Sequence, residues 1–217
     1  MDLLLWITRF IASIARVDGN TLKSGFFKPN EWPALTTAVQ KIGNSPLFIS
    51  DSTEMSAIQL RAAARKLAMK LEKKGTPLSL IIIDYLQLIK DSGSGKKFES
   101  KQIETAEISR SLKALARDLK IPVIALSQLS RQTEQRGKDK RPMLSDLRDS
   151  GAIEQDADVV AFVHRDGYYD KDDPDKQNHA EIIISKQRNG ATGKIELVYE
   201  GKYTKFYNKA SSMEENQ

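Results

Sequence analysis

Apolar residues recur along much of the chain at the three- and four-residue spacing of amphipathic helices. Ser56 and Gln59 have the spacing of a capping box, in which each side chain bonds a backbone N–H of the first turn, so they predict where one helix begins. Gly75 and Pro77 predict where that helix ends. The periodicity as a whole predicts helices at residues 2–16, 32–43, 59–74 and 103–119.

Short, continuously apolar runs alternate with these segments and predict strands. The predicted strands are residues 46–50, 80–83, 121–128, 156–165 and 179–188, with further β structure at 194–201 and 203–208. Strands that are apolar throughout are typical of parallel sheets covered by helices on both faces. The predicted fold class is therefore α/β. The breaker-rich residues 130–142 are expected to form a mobile loop.

Composition narrows the classes of protein that fit this pattern. The 217 residues are 40% hydrophobic and 29% charged, as in one ordinary globular domain, and the net charge of +5 is compatible with a nucleic-acid-binding face. The absence of cysteine excludes disulfides, thiolate metal sites and cysteine nucleophiles. Asp2, Arg9 and Arg16 interrupt the apolar N-terminal run, so we expect an amphipathic helix, no membrane association and a cytoplasmic location.

Polar side chains follow four of the predicted strands, at the point where each strand ends. They are Asp84; Ser127 and Gln128; His164 and Arg165; and Lys186, Gln187 and Arg188. In open parallel sheets ligands bind beyond the carboxyl ends of the strands, so we expect these residues to meet at one rim. The alternative is that loops are simply polar. His164 and His179 are too few and too isolated to predict a metal site, and structural or solvent-facing roles are expected for them.

A glycine- and lysine-rich segment, Gly93 to Lys97, is the only candidate for a phosphate-binding loop. The P-loop pattern is G-x-x-x-x-G-K-S/T, because backbone N–H groups and a lysine must surround the phosphates while a hydroxyl holds magnesium. Here Lys90 stands where the first glycine belongs and Lys97 stands where the hydroxyl belongs. The segment is therefore predicted to be a solvated connection, and the 217 residues contain no P-loop motif.

Four short strings carry a resemblance to a known family. The strings DYLQL at 84–88, SQLSRQ at 127–132, DLRDSGAIEQDADVV at 146–160 and KQRNGATG at 186–193 resemble the ATPase domain of DnaB-like replicative DNA helicases. The resemblance implies a partial RecA-like core over residues 1–208, with a mostly parallel sheet flanked by helices and a C-terminal β-hairpin. Residues 209–217 are then expected to be a polar, disordered tail.

The resemblance also implies an activity. Members of that family form homo-hexameric rings, hydrolyse ATP or another NTP with Mg²⁺ at subunit interfaces, and move along single-stranded DNA to unwind the duplex during replication. A helicase loader and primase are the further partners that it implies.

Individual positions match the family's catalytic motifs. Asp84 matches the Walker B aspartate, which holds magnesium through water and so helps bind the nucleotide, and Gln128 matches the glutamine that senses the γ-phosphate. Lys186 and Arg188 match a basic pair that a β-hairpin inserts into the neighbouring subunit's site. The alternative for this pair is a solvated hairpin end, since Asn189-Gly190 is a turn signal.

Three other positions match the family's DNA-binding loop. Arg148, Asp149 and Gly151 correspond to residues that follow the DNA backbone, although the family often has glutamate at the position of Asp149. A loop salt bridge is the alternative role for Arg148. Contacts to phosphates from backbone amides and one arginine would give sequence-independent, salt-sensitive binding.

The family's P-loop and general base have no counterpart in this sequence. An ungapped overlay places Met1 on the methionine of the family's Ser-Leu-Glu-Met motif, whose glutamate activates the attacking water. The resemblance therefore implies the C-terminal part of a helicase ATPase domain, inactive alone, with residues 80–83 exposed as an apolar edge strand. The alternatives are a catalytically inactive module that binds DNA or joins a helicase ring, and a related RecA-fold ATPase such as a recombinase or clock-type protein.

Overall fold

The computed structural model describes residues 3–52, 55–89, 101–130, 133, 136, 140–169 and 173–209. The predicted loops at 91–97 and in most of 130–142, and the tail at 210–217, lie outside the described residues. The chain divides into two compact units. The first unit contains residues 1–51, 163–183 and 193–217, and the second contains residues 52–162 and 184–192.

The first three helices of the first unit are α1 (Leu3–Ala15), α2 (Gly19–Ser24) and α3 (Trp32–Gly43). Asp18 caps α2 by accepting a hydrogen bond of 2.7 Å from the Asn20 N–H. The amphipathic face of α1 packs against α3 and buries Ala12, while α3 contributes Leu35 and Ala38. The predicted helices in this part of the chain are therefore confirmed.

The second unit contains a parallel pair of strands packed on two long helices. The strands are β1 (Ile81–Ile83) and β2 (Val123–Ala125), and the helices are α4 (Ala57–Glu72) and α5 (Lys101–Leu119). The predicted capping box begins α4: the Gln59 N–H donates to Ser56 Oγ at 3.2 Å, and the Ser56 N–H donates to Gln59 Oε1 at 2.9 Å. One cluster of buried residues in the core of this unit consists of Ala57, Ile83, Leu86, Ile89, Ile108 and Leu112.

The second unit also contains short helical segments near the predicted site residues. These are two 3₁₀ helices, Leu86–Leu88 and Leu144–Ser150, and the short helix α6 (Gly151–Asp156). Two further short helices, α7 (Asp166–Tyr169) and α8 (Pro174–Gln177), belong to the first unit. A last 3₁₀ helix spans Gly201–Tyr203.

The remaining strands form a four-stranded sheet in the order β3-β4-β5-β6. They are β3 (Val159–Arg165), β4 (His179–Gln187), β5 (Gly193–Glu200) and β6 (Lys205–Asn208). β5 and β6 run antiparallel, with Leu197 opposite Asn208. The fold is thus α/β, with a parallel strand pair, flanking helices and C-terminal antiparallel strands, as predicted.

The contacts at the ends of β3 and β4 make these two strands antiparallel. The Arg188 N–H, directly after β4, donates to the carbonyl of Asp158, directly before β3, at 2.8 Å. At the opposite ends, Asp166 directly after β3 contacts His179, the first residue of β4. The expectation that four strand ends meet at one rim is therefore wrong, because the carboxyl ends of β3 and β4 point in opposite directions.

Two further expectations concern apolar segments. The predicted strand at 46–50 is not formed, and Leu47, Phe48 and Ile49 are about half exposed. A strand is held by hydrogen bonds to a neighbouring strand, and no described strand pairs with this segment. The expected exposure of the β1 segment holds for Leu80 and Ile82, whereas Ile83 is buried.

The described residues contain no helix that is both long enough and apolar enough to cross a bilayer.

Leu115 on α5 is a sensitive test of this packing, because its side chain is 0% exposed. Leu115→Ala leaves a cavity and removes buried apolar surface, so it is expected to lower the free energy of unfolding by about 2–5 kcal/mol. Urea denaturation followed by circular dichroism in the far ultraviolet measures the change. Met69→Ala, on α4 at 58% exposed, is the matched control and should change the value by no more than about 0.5 kcal/mol. Equal effects of the two substitutions would contradict the packing described.

Candidate functional site

An open cleft lies at the carboxyl ends of β1 and β2. It has a volume of about 300 Å³ and is lined by Asp84, Tyr85, Leu126, Ser127 and Gln128. Asp84 directly follows β1, and the polar residues of the other side follow β2. The parallel pairing brings these two strand ends together, so the predicted meeting of Asp84, Ser127 and Gln128 is observed.

Gln87 connects the two sides of this cleft. Its Nε2 donates to Ser127 Oγ at 3.0 Å, and its Oε1 accepts a hydrogen bond from the Gln128 N–H at 3.4 Å. The main chain is bonded as well, since the Leu86 N–H donates to the Leu126 carbonyl at 2.9 Å. Gln87 was missed by the sequence analysis. The signal that could have found it was a single uncharged polar residue within the apolar stretch from 86 to 89.

The donor atoms of the cleft fit a hydrated magnesium ion. The Asp84 side chain is exposed at the cleft, and Ser127 and Gln128 add hydroxyl and amide oxygens. Mg²⁺ is typically held by one or two carboxylates, with water and phosphate oxygens completing its coordination. The five lining residues include no lysine or arginine, so the cleft supplies oxygen ligands for a cation but no positive charge for phosphates.

Lys186 and Arg188 lie elsewhere in the second unit, against the carboxyl end of α6. The Lys186 ammonium donates to the carbonyl oxygens of Glu154 and Gln155, the latter at 3.3 Å. Arg188 Nη2 also donates to the Gln155 carbonyl, at 3.4 Å. The last carbonyls of a helix lack partners within the helix and carry partial negative charge, so they attract cations. The basic pair is thereby held at this helix end.

Asp158 fixes the position of Arg188 further. Arg188 Nη1 lies 3.3 Å from Asp158 Oδ1, and the Lys113 ammonium from α5 contacts the other oxygen of the same carboxylate. The hydrogen bond from Lys113 lowers the pKa of Asp158, burial opposes this, and the charges of Lys113, Arg188 and Arg117 lower it further. Asp158 was also missed, because its partner Lys113 is distant in sequence.

The predicted DNA-binding residues lie at the amino end of the same short helix. Arg148 and Asp149 belong to the 3₁₀ helix Leu144–Ser150, and Gly151 is the first residue of α6. Asp146 anchors this segment, since it is 5% exposed, accepts a 2.8 Å hydrogen bond from the Met143 N–H and pairs with Arg136. The backbone therefore places the predicted DNA-binding residues at one end of α6 and the basic pair at the other.

The two histidines are not isolated, contrary to the expectation from sequence. In the first unit, His164 Nε2 lies 2.9 Å from Asp166 Oδ1, and His179 Nδ1 lies 2.6 Å from Asp166 Oδ2. They are 15 residues apart in sequence, and only the antiparallel pairing of β3 with β4 brings them to one carboxylate.

Comparison with known proteins gives consistent matches. The family model described as the DnaB-like helicase C-terminal domain matches residues 1–208. The chain is 47% identical over 211 residues to the replicative DNA helicase DnaB of Geobacillus stearothermophilus, covering 97% of this chain and 44% of that protein. It is 46% identical over 202 residues to the replicative DNA helicase DnaC of Bacillus subtilis, covering 93% of this chain and 42% of that protein. The chain thus spans less than half the length of these relatives.

Solved structures show the same similarity. One of them, an isolated ATPase domain, superposes with a TM-score of 0.87 at 39% identity, covering 97% of this chain and 72% of that one. A DnaB-like replicative helicase, solved in a study of its interactions with primase, also gives a TM-score of 0.87, at 38% identity, and covers 97% of this chain and 50% of that one.

The effect of the Lys113–Asp158 ion pair on the pKa of Asp158 can be tested. Because the pKa of Asp158 is lower in the folded chain than in the unfolded chain, the pair stabilises the fold above the ordinary aspartate pKa of about 3.9. That stabilisation is lost as the pH falls through the folded value. Lys113→Met should raise the pKa of Asp158, as measured by carboxyl carbon chemical shifts. Arg110→Met, one turn away on α5 and paired with Glu107, should leave it unchanged; an unchanged pKa in Lys113→Met would contradict the assignment.

Proposed function

The chain belongs to the DnaB-like helicase C-terminal domain family, and from this premise we propose that it forms part of a ring-forming replicative DNA helicase. The intact protein couples hydrolysis of ATP or another NTP to movement along single-stranded DNA and to unwinding of the duplex. The observation that supports this most directly is the distribution of the family-matching residues. Asp84 and Gln128 share one cleft, whereas Lys186 and Arg188 lie together at the end of α6.

In this proposal the cleft forms the metal-binding side of the nucleotide site. Asp84 would hold Mg²⁺ through water, and the ion would supply positive charge for the NTP phosphates. Gln128 senses the γ-phosphate, and Gln87 keeps the backbone of Gln128 in register with the strand that carries Asp84. The 217 residues contain no P-loop motif, so binding of the phosphates requires polypeptide outside them.

Lys186 and Arg188 act on the site of a neighbouring subunit. The planar guanidinium of arginine matches the charge that develops on a phosphoryl group during transfer, and such a residue supplied in trans contributes ~10³–10⁵ in rate. The hairpin of β4 and β5 carries both side chains, with the turn at 188–192 joining the strands. Asp158 holds the guanidinium in place until it meets the nucleotide.

Arg148, Asp149 and Gly151 contact single-stranded DNA through its phosphates. They are joined to the basic pair by α6, which is only six residues long. A displacement of this helix on nucleotide hydrolysis would therefore move the DNA-binding segment and the basic pair together. This arrangement offers a direct mechanical connection between the two functions.

The partners proposed for the intact protein are further copies of itself in a hexamer, primase and a helicase loader. The primase proposal rests on the solved relative that was studied for its interactions with primase. We propose that this activity takes place in the cytoplasm, where bacteria replicate their DNA.

A second proposal is that the chain acts without hydrolysing ATP itself, as a DNA-binding or ring-joining subunit. The absence of a P-loop motif from the 217 residues, and of any cationic side chain from the five residues that line the cleft, favours it. Both proposals give Arg188 the same role in trans. They differ in whether residues of the same polypeptide or of a partner complete the cleft.

A mixing experiment tests the contribution of Arg188. The partner is a family helicase that carries its own P-loop but has alanine at the positions aligned with Lys186 and Arg188, so that its rings lack the basic pair. Adding this chain should raise ATP hydrolysis at least about tenfold, a small part of what a residue in trans can contribute. Phosphate release measured with single-stranded DNA present follows the rate.

The variants make the mixing experiment specific. Arg188→Ala should abolish the stimulation, whereas Lys194→Ala, an exposed cation on β5 of the same hairpin, should preserve it. Loss of stimulation in both variants would point to a general effect of charge and contradict the role of Arg188. The chain alone should show no appreciable turnover, and turnover abolished by Asp84→Ala would contradict the absence of a complete site.

Arg148→Ala tests the proposed DNA contact. Loss of one phosphate contact should weaken binding of labelled oligo-dT and lower the slope of log affinity against log salt by roughly 0.7, as measured by fluorescence anisotropy. Arg65→Ala is the control, since Arg65 on α4 is paired with Asp118 and its loss should leave the slope unchanged. An unaltered slope in Arg148→Ala would remove this residue from the DNA-binding surface.

A further inference from the structure

The first unit contains a cluster of acidic and imidazole side chains, none of which has been assigned to nucleotide or DNA. It is formed by Asp166, which directly follows β3, and by His179 and Glu181 on β4. His179 and Glu181 are two residues apart in one strand, so their side chains project from the same face. The antiparallel pairing of β3 with β4 then brings Asp166 to that face.

The ligand atoms of these three residues lie close together. The carboxylate oxygens of Asp166 and Glu181 and a ring nitrogen of His179 are all within 4.8 Å of one another. In a tetrahedral zinc site, with metal–ligand distances of about 2.0–2.2 Å, such atoms are roughly 3.3–3.6 Å apart. The three groups therefore need shifts of only about 1 Å to bind a common ion.

The charges of the cluster favour a cation. Glu181 is 5% exposed, and it shares its surroundings with a second carboxylate, Asp166. Two carboxylates in a partly buried place repel one another and lose hydration, unless positive charge compensates them. A divalent ion bound at this place would interact favourably with both carboxylates.

His164 contacts the cluster through Asp166. It is 4% exposed, its Nε2 lies 2.9 Å from Asp166 Oδ1, and Tyr169 stacks on its ring with centroids 5.7 Å apart. A buried group that hydrogen-bonds a metal-binding carboxylate fixes the orientation of that ligand, as is usual around metal sites. His164 thus holds Asp166 so that its other oxygen faces His179.

We propose that Asp166, His179 and Glu181 form a binding site for one Zn²⁺ ion, with His164 positioning the Asp166 carboxylate. One imidazole and two carboxylates are ligands that zinc accepts, whereas Mg²⁺ prefers oxygen ligands alone. Three protein ligands leave a fourth position for water. The ion would join the residue after β3 to the first residues of β4 and so hold this end of the strand pair together.

Zinc binding to the tag-free chain tests the proposal. After treatment with EDTA and removal of the chelator, titration calorimetry with ZnCl₂ and elemental analysis after gel filtration should give one Zn²⁺ per chain. Glu181→Gln and His179→Asn should each weaken binding at least about tenfold. Glu107→Gln is the matched control: this exposed carboxylate on α5 is paired with Arg110 at 3.1 Å, and its loss should leave zinc affinity unchanged.

Cobalt substitution of the unaltered chain provides a readout that does not depend on how the variants fold. Co²⁺ in an N,O site of low coordination number gives visible absorption bands that stoichiometric Zn²⁺ should remove. Absence of zinc uptake by the unaltered chain, equal weakening by Glu107→Gln, or preferential binding of Mg²⁺ would each overturn the proposal. The cluster would then be a hydrogen-bonded network of two histidines around one aspartate.

Discussion

The parallel pairing of β1 with β2 is the interaction on which the rest of the second unit depends. It sets Ile82 opposite Ile124 and thereby brings Asp84 to the same cleft as Gln128. The inner face of the pair packs on α4 and α5 through the buried core. Because α5 also carries Lys113, which contacts Asp158, the same packing determines where Arg188 is held. The packing of the strand pair on α4 and α5 therefore both buries the apolar core and determines where the charged residues lie.

The short helix α6 has the proposed DNA-binding segment at one end and the basic pair at the other. Its amino end follows the segment proposed to contact DNA phosphates, and its carboxyl end attracts Lys186 and Arg188 through carbonyls that lack partners within the helix. The contacts to Arg188 are long, at 3.3 and 3.4 Å, and its side chain is half exposed. Exposed ion pairs contribute little to stability. Arg188 can therefore leave Asp158 for a nucleotide phosphate at low energetic cost, as the proposed role in trans requires.

Local sequence signals predicted local structure well and long-range geometry less well. The capping box at Ser56 and the polar residues after β1 and β2 lie where the sequence indicated, because each depends on neighbouring residues or on one strand pair. The direction of β4 was mispredicted, since apolar runs carry no information about strand orientation, and the connection at 166–178 is long enough for either direction. Asp158 and the histidine cluster could not be found, because their contacts join residues distant in sequence.

Exposure along the strand pair connects the stability of the fold with the proposed nucleotide site. Ile82 on β1 and Ile124 on β2 are exposed, as are Asp84 and Gln128 beyond the ends of these strands, so the apolar surface continues directly into the cleft. Ile82 and Ile124 are 61% and 48% exposed, although strands of parallel sheets are normally covered on both faces. Polypeptide that covered these isoleucines would therefore also approach Asp84. Burial of the apolar face would also exclude water from the cleft and strengthen its electrostatic interactions. Covering the sheet would therefore also enclose the cleft to which the proposed function assigns the magnesium ion.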